Sequence, residues 1–209
     1  MPMSERKKSF ATYAIAFVFV VICALVVRLI PWPLILGIGV AGALGLALLS
    51  RAAVPEFWDP RVSNRLRFGL PVAIGLAFGA LTSMQAFLDP HHGAVTPFPQ
   101  SILIFAAGGI ILETLLRLFG TTVLTALFRF ISKSEIAYWV AATIASLYEP
   151  LPYLQHPHAS ALLIAARLLA FNLAGAWVYR RAGFVAAVML RWSEYLVWHI
   201  VVQTMFGLT

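Results

Sequence analysis

The sequence predicts an all-α, polytopic transmembrane helical bundle of about seven spans, with its N-terminus inside and its C-terminus outside. Three observations carry this. First, 61% of the 209 residues are hydrophobic and only 11% are charged, against about 25% charged in an ordinary soluble domain. With a mean hydropathy of +0.89, much of the surface requires lipid rather than water. Second, apolar runs recur at about the 20 residues needed to cross roughly 30 Å of hydrocarbon. Third, Lys and Arg fall in alternate loops, as the positive-inside rule requires.

The spans follow in order. Residues 1–9 form a cytoplasmic tail, and residues 10–209 one transmembrane domain. Span one is Tyr13–Ile30. It is longer than a signal-peptide core and no A-x-A site follows it, so it is expected to be retained. Pro31-Trp32-Pro33 forces a turn. Span two, Leu34–Leu49, is rich in glycine and alanine, which suits close helix packing in lipid. Span three is Leu70–Phe87. Span four runs from Ser101 to Ile131, with a kink or break expected at Gly120-Thr121-Thr122. Spans five to seven are Ile136–Leu151, Ala159–Tyr179 and Phe184–Phe206.

The loop charges give the orientation independently. Arg6, Lys7 and Lys8 precede span one. Arg51, Arg61, Arg65 and Arg67 lie between spans two and three, Arg129 and Lys133 after span four, and Arg180 and Arg181 after span six. The loops Pro31–Pro33, Asp89–Gln100 and Pro152–His158 contain neither Lys nor Arg. The net charge of +7 is thus assigned to membrane orientation and not to nucleic-acid binding. The single cysteine, Cys23, excludes an internal disulfide and a cysteine metal site. His91-His92 and His156-Pro157-His158 lie in outer loops and are assigned as solvated, since no carboxylate pattern accompanies them. No cofactor is expected. The P-loop, zincin, nucleophile-elbow and dinucleotide fingerprints are absent.

Ionisable residues at membrane depth are expensive and mark candidate sites. They are Glu113 and Arg117 in span four, Arg167 in span six, and Arg191 and Glu194 in span seven, with Glu149 near the outer end of span five. Glu113 and Arg117, at i and i+4, share a helix face and are expected to pair, as are Arg191 and Glu194 at i and i+3. Arg167 has no acid in its own helix, so it is expected to pair with Glu113, Glu149 or Glu194 across the bundle. His199 is a further polar partner. Trp192, Tyr195 and Trp198 are assigned as interfacial or packing aromatics.

Two stretches carry a family resemblance. GIILETLLRLF, residues 109–119, resembles the E-E-x-x-x-R segment of the CPBP family, the CAAX prenyl proteases and bacteriocin-processing enzymes. GAWVYRRAGFVAA, residues 175–187, is similar to that family's G-x-x-Y-x-R-x-G-x-x-A-A run. The resemblance covers residues 70–205 and implies a glutamate-type intramembrane protease fold. Its catalytic positions are changed here. The family's first glutamate falls on Leu112. Its F-x-x-x-H region falls on Ser146–Pro152, without a histidine. Its last motif, H-x-x-x-N or H-x-x-x-D, falls on Arg191 and Tyr195. Sliding to His199 and Gln203 recovers H-x-x-x-Q but displaces the site by two helical turns, roughly 12 Å.

The resemblance therefore implies a member without peptidase activity. Such a member would act as a scaffold, binding or assembly subunit beside another integral membrane protein, with lipid as its other partner, in the bacterial inner (plasma) membrane. Two alternatives stand beside it. One is a divergent protease using Glu113 with Glu149, Glu194 or His199. The other is a small transporter or channel component with a polar path along Arg167, Arg191 and Glu194.

Overall fold

The computed structural model describes residues 4–28, 30–88, 99–155 and 159–202. Helix α1 spans Glu5–Val27 and α2 spans Trp32–Ala52. Helix α2 starts two residues earlier than expected. Pro31 caps it in extended conformation and Pro33 sits in its first turn, where a missing N–H costs nothing. Helix α3 opens with a π-helical turn, Arg65–Gly69, and continues over Leu70–Leu88. Arg65 and Arg67, expected in the loop, therefore lie inside this helix.

Helix α4 is continuous from Gln100 to Phe128. The break expected at Gly120 is instead a widened π-helical stretch, Thr114–Thr121. The hydroxyls of Thr121 and Thr122 donate to the carbonyls of Leu116 and Arg117, five residues back, at 2.7 and 3.0 Å. These bonds satisfy the backbone groups that the wide turn frees. Helix α5 is Glu135–Ser146, α6 is the short Leu151–Gln155, and α7 is Ala159–Ala182. Gly183 then turns the chain at φ +80, a conformation that favours glycine, with Pro55 O beside it. Helix α8 runs Phe184–Tyr195 and ends in a π-helical stretch, Leu196–Val202.

The described residues form a helical bundle. Six helices are long and apolar enough to cross a membrane: Glu5–Val27, Trp32–Ala52, Arg65–Gln85, Gln100–Phe128, Ser160–Ala182 and Phe184–Val202. Their outward faces carry the apolar stripe that lipid requires; on α1, Ile15, Val18, Ile22 and Val26 are all more than half exposed. The expected fifth span is the exception. Its helix has 12 residues, roughly 18 Å at 1.5 Å per residue, which is too short to qualify alone. The chain then turns through residues 147–150 and resumes in α6. Pro150 disfavours helical backbone at Glu149, and Pro152 is tolerated only in a first turn. An apolar run that hydropathy takes as one rod is a broken one.

The basic loops gather at one end of the bundle. The loop after α2 docks there: Phe57 N donates to Ser9 Oγ at 3.0 Å, and Trp58 Nε1 donates to Thr12 Oγ1 at 2.7 Å. Phe57 stacks on Phe184, and Arg67 packs against Trp58 while donating to Asp59 O at 2.7 Å. Arg180 reaches both Glu135 and the Ala53 carbonyl. Deeper in the bundle α3 packs along α8 through glycines. A Cβ on Gly75 would overlap Leu190 O and lie 2.7 Å from Ser193 Cβ. Close backbone approach of this kind is how helices gain contact in lipid.

Candidate functional site

Buried polar residues concentrate where α4, α5, α7 and α8 meet. Arg191 on α8 is the centre. Its Nε donates to Glu113 Oε1 at 2.9 Å. Its Nη1 and Nη2 donate to Glu149 Oε1 and Oε2 at 3.1 and 2.9 Å, a two-pronged match of guanidinium to carboxylate. Nη2 also donates to Asn172 Oδ1 at 2.9 Å. The guanidinium lies over the Phe171 ring at 4.7 Å, so its face is covered as well as its edge.

Arg117 lies one layer away. It faces Glu113 as expected, with Nε 3.5 Å from Oε2, but this is the longer of the two arginine contacts to that carboxylate. Its Nη1 donates to Ser146 Oγ at 3.2 Å and its Nη2 to the Asn172 carbonyl at 2.5 Å. Asn172 Nδ2 donates in turn to Ser146 O at 3.3 Å. Two glycines of the motif-like stretches make room for this network. A Cβ on Gly175 would sit 3.2 Å from Arg117 Nη2, and one on Gly109 would press on Trp192 at 2.7 Å.

A second cluster joins α3, α7 and α8. Arg167 Nε donates to Gln85 Oε1 at 2.8 Å and Nη1 to Thr82 Oγ1 at 2.5 Å. Thr82 Oγ1 is 2.9 Å from Glu194 Oε1, and Arg167 Nη1 is 3.7 Å from the same oxygen. Arg167 therefore meets Glu194, one of its three candidate acids. The local Arg191–Glu194 pair does not form. The acids of α4 and the α5–α6 break approach Arg191 more closely, and the Thr82–Arg167 pair holds Glu194.

Across both clusters three arginines face three glutamates, a formal charge of zero. Glu113, Arg117 and Arg191 are each no more than 1% exposed. Burial of this depth is tolerated because each ion has a partner, and removing one partner is far more costly than replacing all of them. Four contributors had not been singled out from the sequence: Asn172, Ser146, Thr82 and Gln85. Each is a polar side chain in an apolar run, the residue type that hydrogen-bonds between helices in lipid. That signal would have found them, and it extends the polar core to α3.

His199 lies apart from these clusters. It stacks on Phe105, with ring centroids 3.7 Å apart, and meets the edge of Tyr195. No hydrogen bond or ion pair joins it to Glu113, Glu149 or Glu194 among the described residues. Tyr195 itself flanks Arg191, whose Cζ is 5.9 Å from the ring centroid. His91, His92, His156, His158 and Gln203 lie outside the described residues. Among those described, no group of three or more His, Cys, Asp or Glu side chains is placed to hold a metal.

Chemically, this arrangement holds charge: Glu113, Glu149 and Glu194 are each in an ion pair, and Glu149 is the most accessible, with 17% of its side chain exposed. A general base must reach a water within hydrogen-bond distance. Glu113 instead presents Oε1 to Arg191 and Oε2 to Arg117, with almost no accessible surface. Compared with protein-family models, curated proteins and solved structures, the chain matches none.

Proposed function

We propose that this chain is an integral membrane protein with a CPBP-like core that lacks peptidase activity. It serves as a scaffold, binding or assembly subunit for another integral membrane protein. The observation that carries this reading is the position of Arg191. The segments that the resemblance aligns with catalytic positions, around Glu113, within Ser146–Pro152 and at Arg191, meet at one point. At that point the guanidinium stands between two carboxylates, Glu113 and Glu149. It leaves both acids in ion pairs. A transport path along Arg167, Arg191 and Glu194 lacks comparable support, since each of these charges is engaged within the bundle.

The same reading gives seven crossings with the basic end in the cytoplasm of a bacterial cell. Glu135 lies with Arg180 at the basic end. Helix α7 returns to that end over 24 residues. On this reading the broken α5–α6 segment covers the thickness between them, with α5 packed on α4 and α7, and α6 on α7.

The test is purification in mild detergent, followed by incubation with prenylated and transmembrane peptides and by identification of what co-elutes. Intact peptides and a stoichiometric membrane-protein partner are expected. Cleavage that disappears in Glu113→Gln would replace this reading with a divergent protease.

A further inference from the structure

The polar core is neutral, but the basic end is not. Arg51 lies in the last turn of α2, Arg129 follows α4, and Lys133 lies in the link to α5. With Ala126 and Phe130 they line a cavity of about 310 Å³. No carboxylate lines it. Glu135, two residues beyond Lys133, is held by Arg180. None of the three cations forms a close ion pair among the described residues, and Glu135 acts on Arg129 only at longer range. Part of their charge answers the carbonyl ends of the helices, since Arg129 Nη1 donates to Arg51 O at 3.3 Å. The rest is unspent: Arg129 Nε is buried without a hydrogen-bond partner. The Arg51 guanidinium stands 5.5 Å from the Phe130 ring centroid, which braces it at the cavity.

The surroundings supply the second half of the argument. Phe130 and Ile131 are 73% and 89% exposed, and Leu127, one turn back on α4, is 52% exposed. Cations with bare apolar groups beside them, at the ends of two spans, lie where headgroup gives way to acyl chain. A soluble phosphate compound would engage the cations and leave this apolar surface uncovered. An amphiphile covers both.

We propose that Arg51, Arg129 and Lys133 form a binding site for the headgroup of an anionic phospholipid, whose chains lie against Leu127, Phe130 and Ile131. The phosphate accepts from the guanidinium and ammonium groups, and the arginines supply the donor forks that suit phosphate oxygens. This site is separate from the buried Arg191 network, so it stands whether or not the chain has catalytic activity.

Native mass spectrometry of the full chain in detergent tests it, with dioleoylphosphatidylglycerol, dioleoylphosphatidylcholine and inorganic phosphate as probes. One phosphatidylglycerol is expected to remain bound at energies that strip phosphatidylcholine, and millimolar phosphate is not expected to displace it. The double variant Arg129→Gln/Lys133→Gln, and separately the charge reversal Lys133→Glu at an exposed link, should each weaken retention on the order of tenfold. The control Lys7→Gln/Arg65→Gln removes the same charge from exposed positions elsewhere and should bind as wild type. Equal retention of phosphatidylcholine, equal loss in the control, displacement by phosphate, or undiminished binding in both pocket variants would overturn the proposal.

Discussion

Arg191 and Glu149 meet fork to fork: Nη1 and Nη2 lie 3.1 and 2.9 Å from the two carboxylate oxygens. Glu149 comes from the turn between α5 and α6, not from a helix. The break in the fifth apolar run is what delivers an acid to the centre of the bundle. Arg191→Gln strips the cation from two glutamates at once. It should destabilise the protein by about 3–5 kcal/mol, seen as a fall in melting temperature in detergent. The double variant Arg191→Met/Glu149→Gln should recover much of that loss, because Glu113 and Arg117 then remain as a neutral pair. A single variant as stable as wild type would show that the network contributes nothing.

Arg167 offers a test of partner choice. In a double-mutant cycle with Arg167→Gln, Glu194→Gln should show a coupling of about 1–3 kcal/mol, whereas Glu113→Gln should couple by less than about 0.5 kcal/mol. Thermal or denaturant unfolding in one detergent provides both numbers. The reverse ranking would place Arg167 with the Arg191 network instead.

Asp59 gives the expected pH dependence. It lies in the loop after α2, where Arg61 hydrogen-bonds both carboxylate oxygens and lowers its pKa. Partial burial opposes that shift without cancelling it. A depressed native pKa means that the loop's contribution is whole above the ordinary aspartate value of about 3.9. It is lost as pH falls through the lower native value. Since Arg61 is largely exposed, solvent weakens the effect. Amide exchange at residues 57–62 should thus separate wild type from Asp59→Asn at pH 6, and the difference should shrink on acidification. A gap that widens below pH 4 would contradict the sign.

The proposed seven-crossing topology makes a direct prediction. With Cys23 replaced by serine, Lys133→Cys should react with a membrane-impermeant maleimide only from the cytoplasmic face. Leu154→Cys, at the far end of α6 and exposed, should react only from the opposite face. Labelling of both positions from one side would show that α5–α6 enters and returns without crossing.

Sequence reasoning reached the bundle because hydropathy and loop charge are each summed over many residues. It also reached the charged members of the core, since a Glu or Arg within an apolar run is conspicuous. It reached the Glu113–Arg117 pair and had Glu194 among three candidates for Arg167, but it did not reach the partners of Arg191. Arg191 and Glu194 have good helical spacing, but spacing along one helix says nothing about Glu113 and Glu149 arriving from neighbours. It did not foresee the shape of span five either, because Pro150 and Pro152 leave the average hydropathy high while they interrupt the hydrogen-bond ladder. The widened turn in α4 depends on hydroxyls reaching back five residues. Thr121 and Thr122 mark the place, but the local sequence allows either a break or a π-helical stretch.

The zero net charge of the Arg117–Arg191–Glu113–Glu149 cluster constrains how the gene can change. A single substitution at position 113, 117 or 191 leaves a charge uncompensated among residues no more than 1% exposed. Lineages can drift there only through simultaneous or compensating steps, so these three positions should be inherited as a block. Arg61, on the open surface, pairs with Asp59 alone among the described residues, so a change there is felt within one loop.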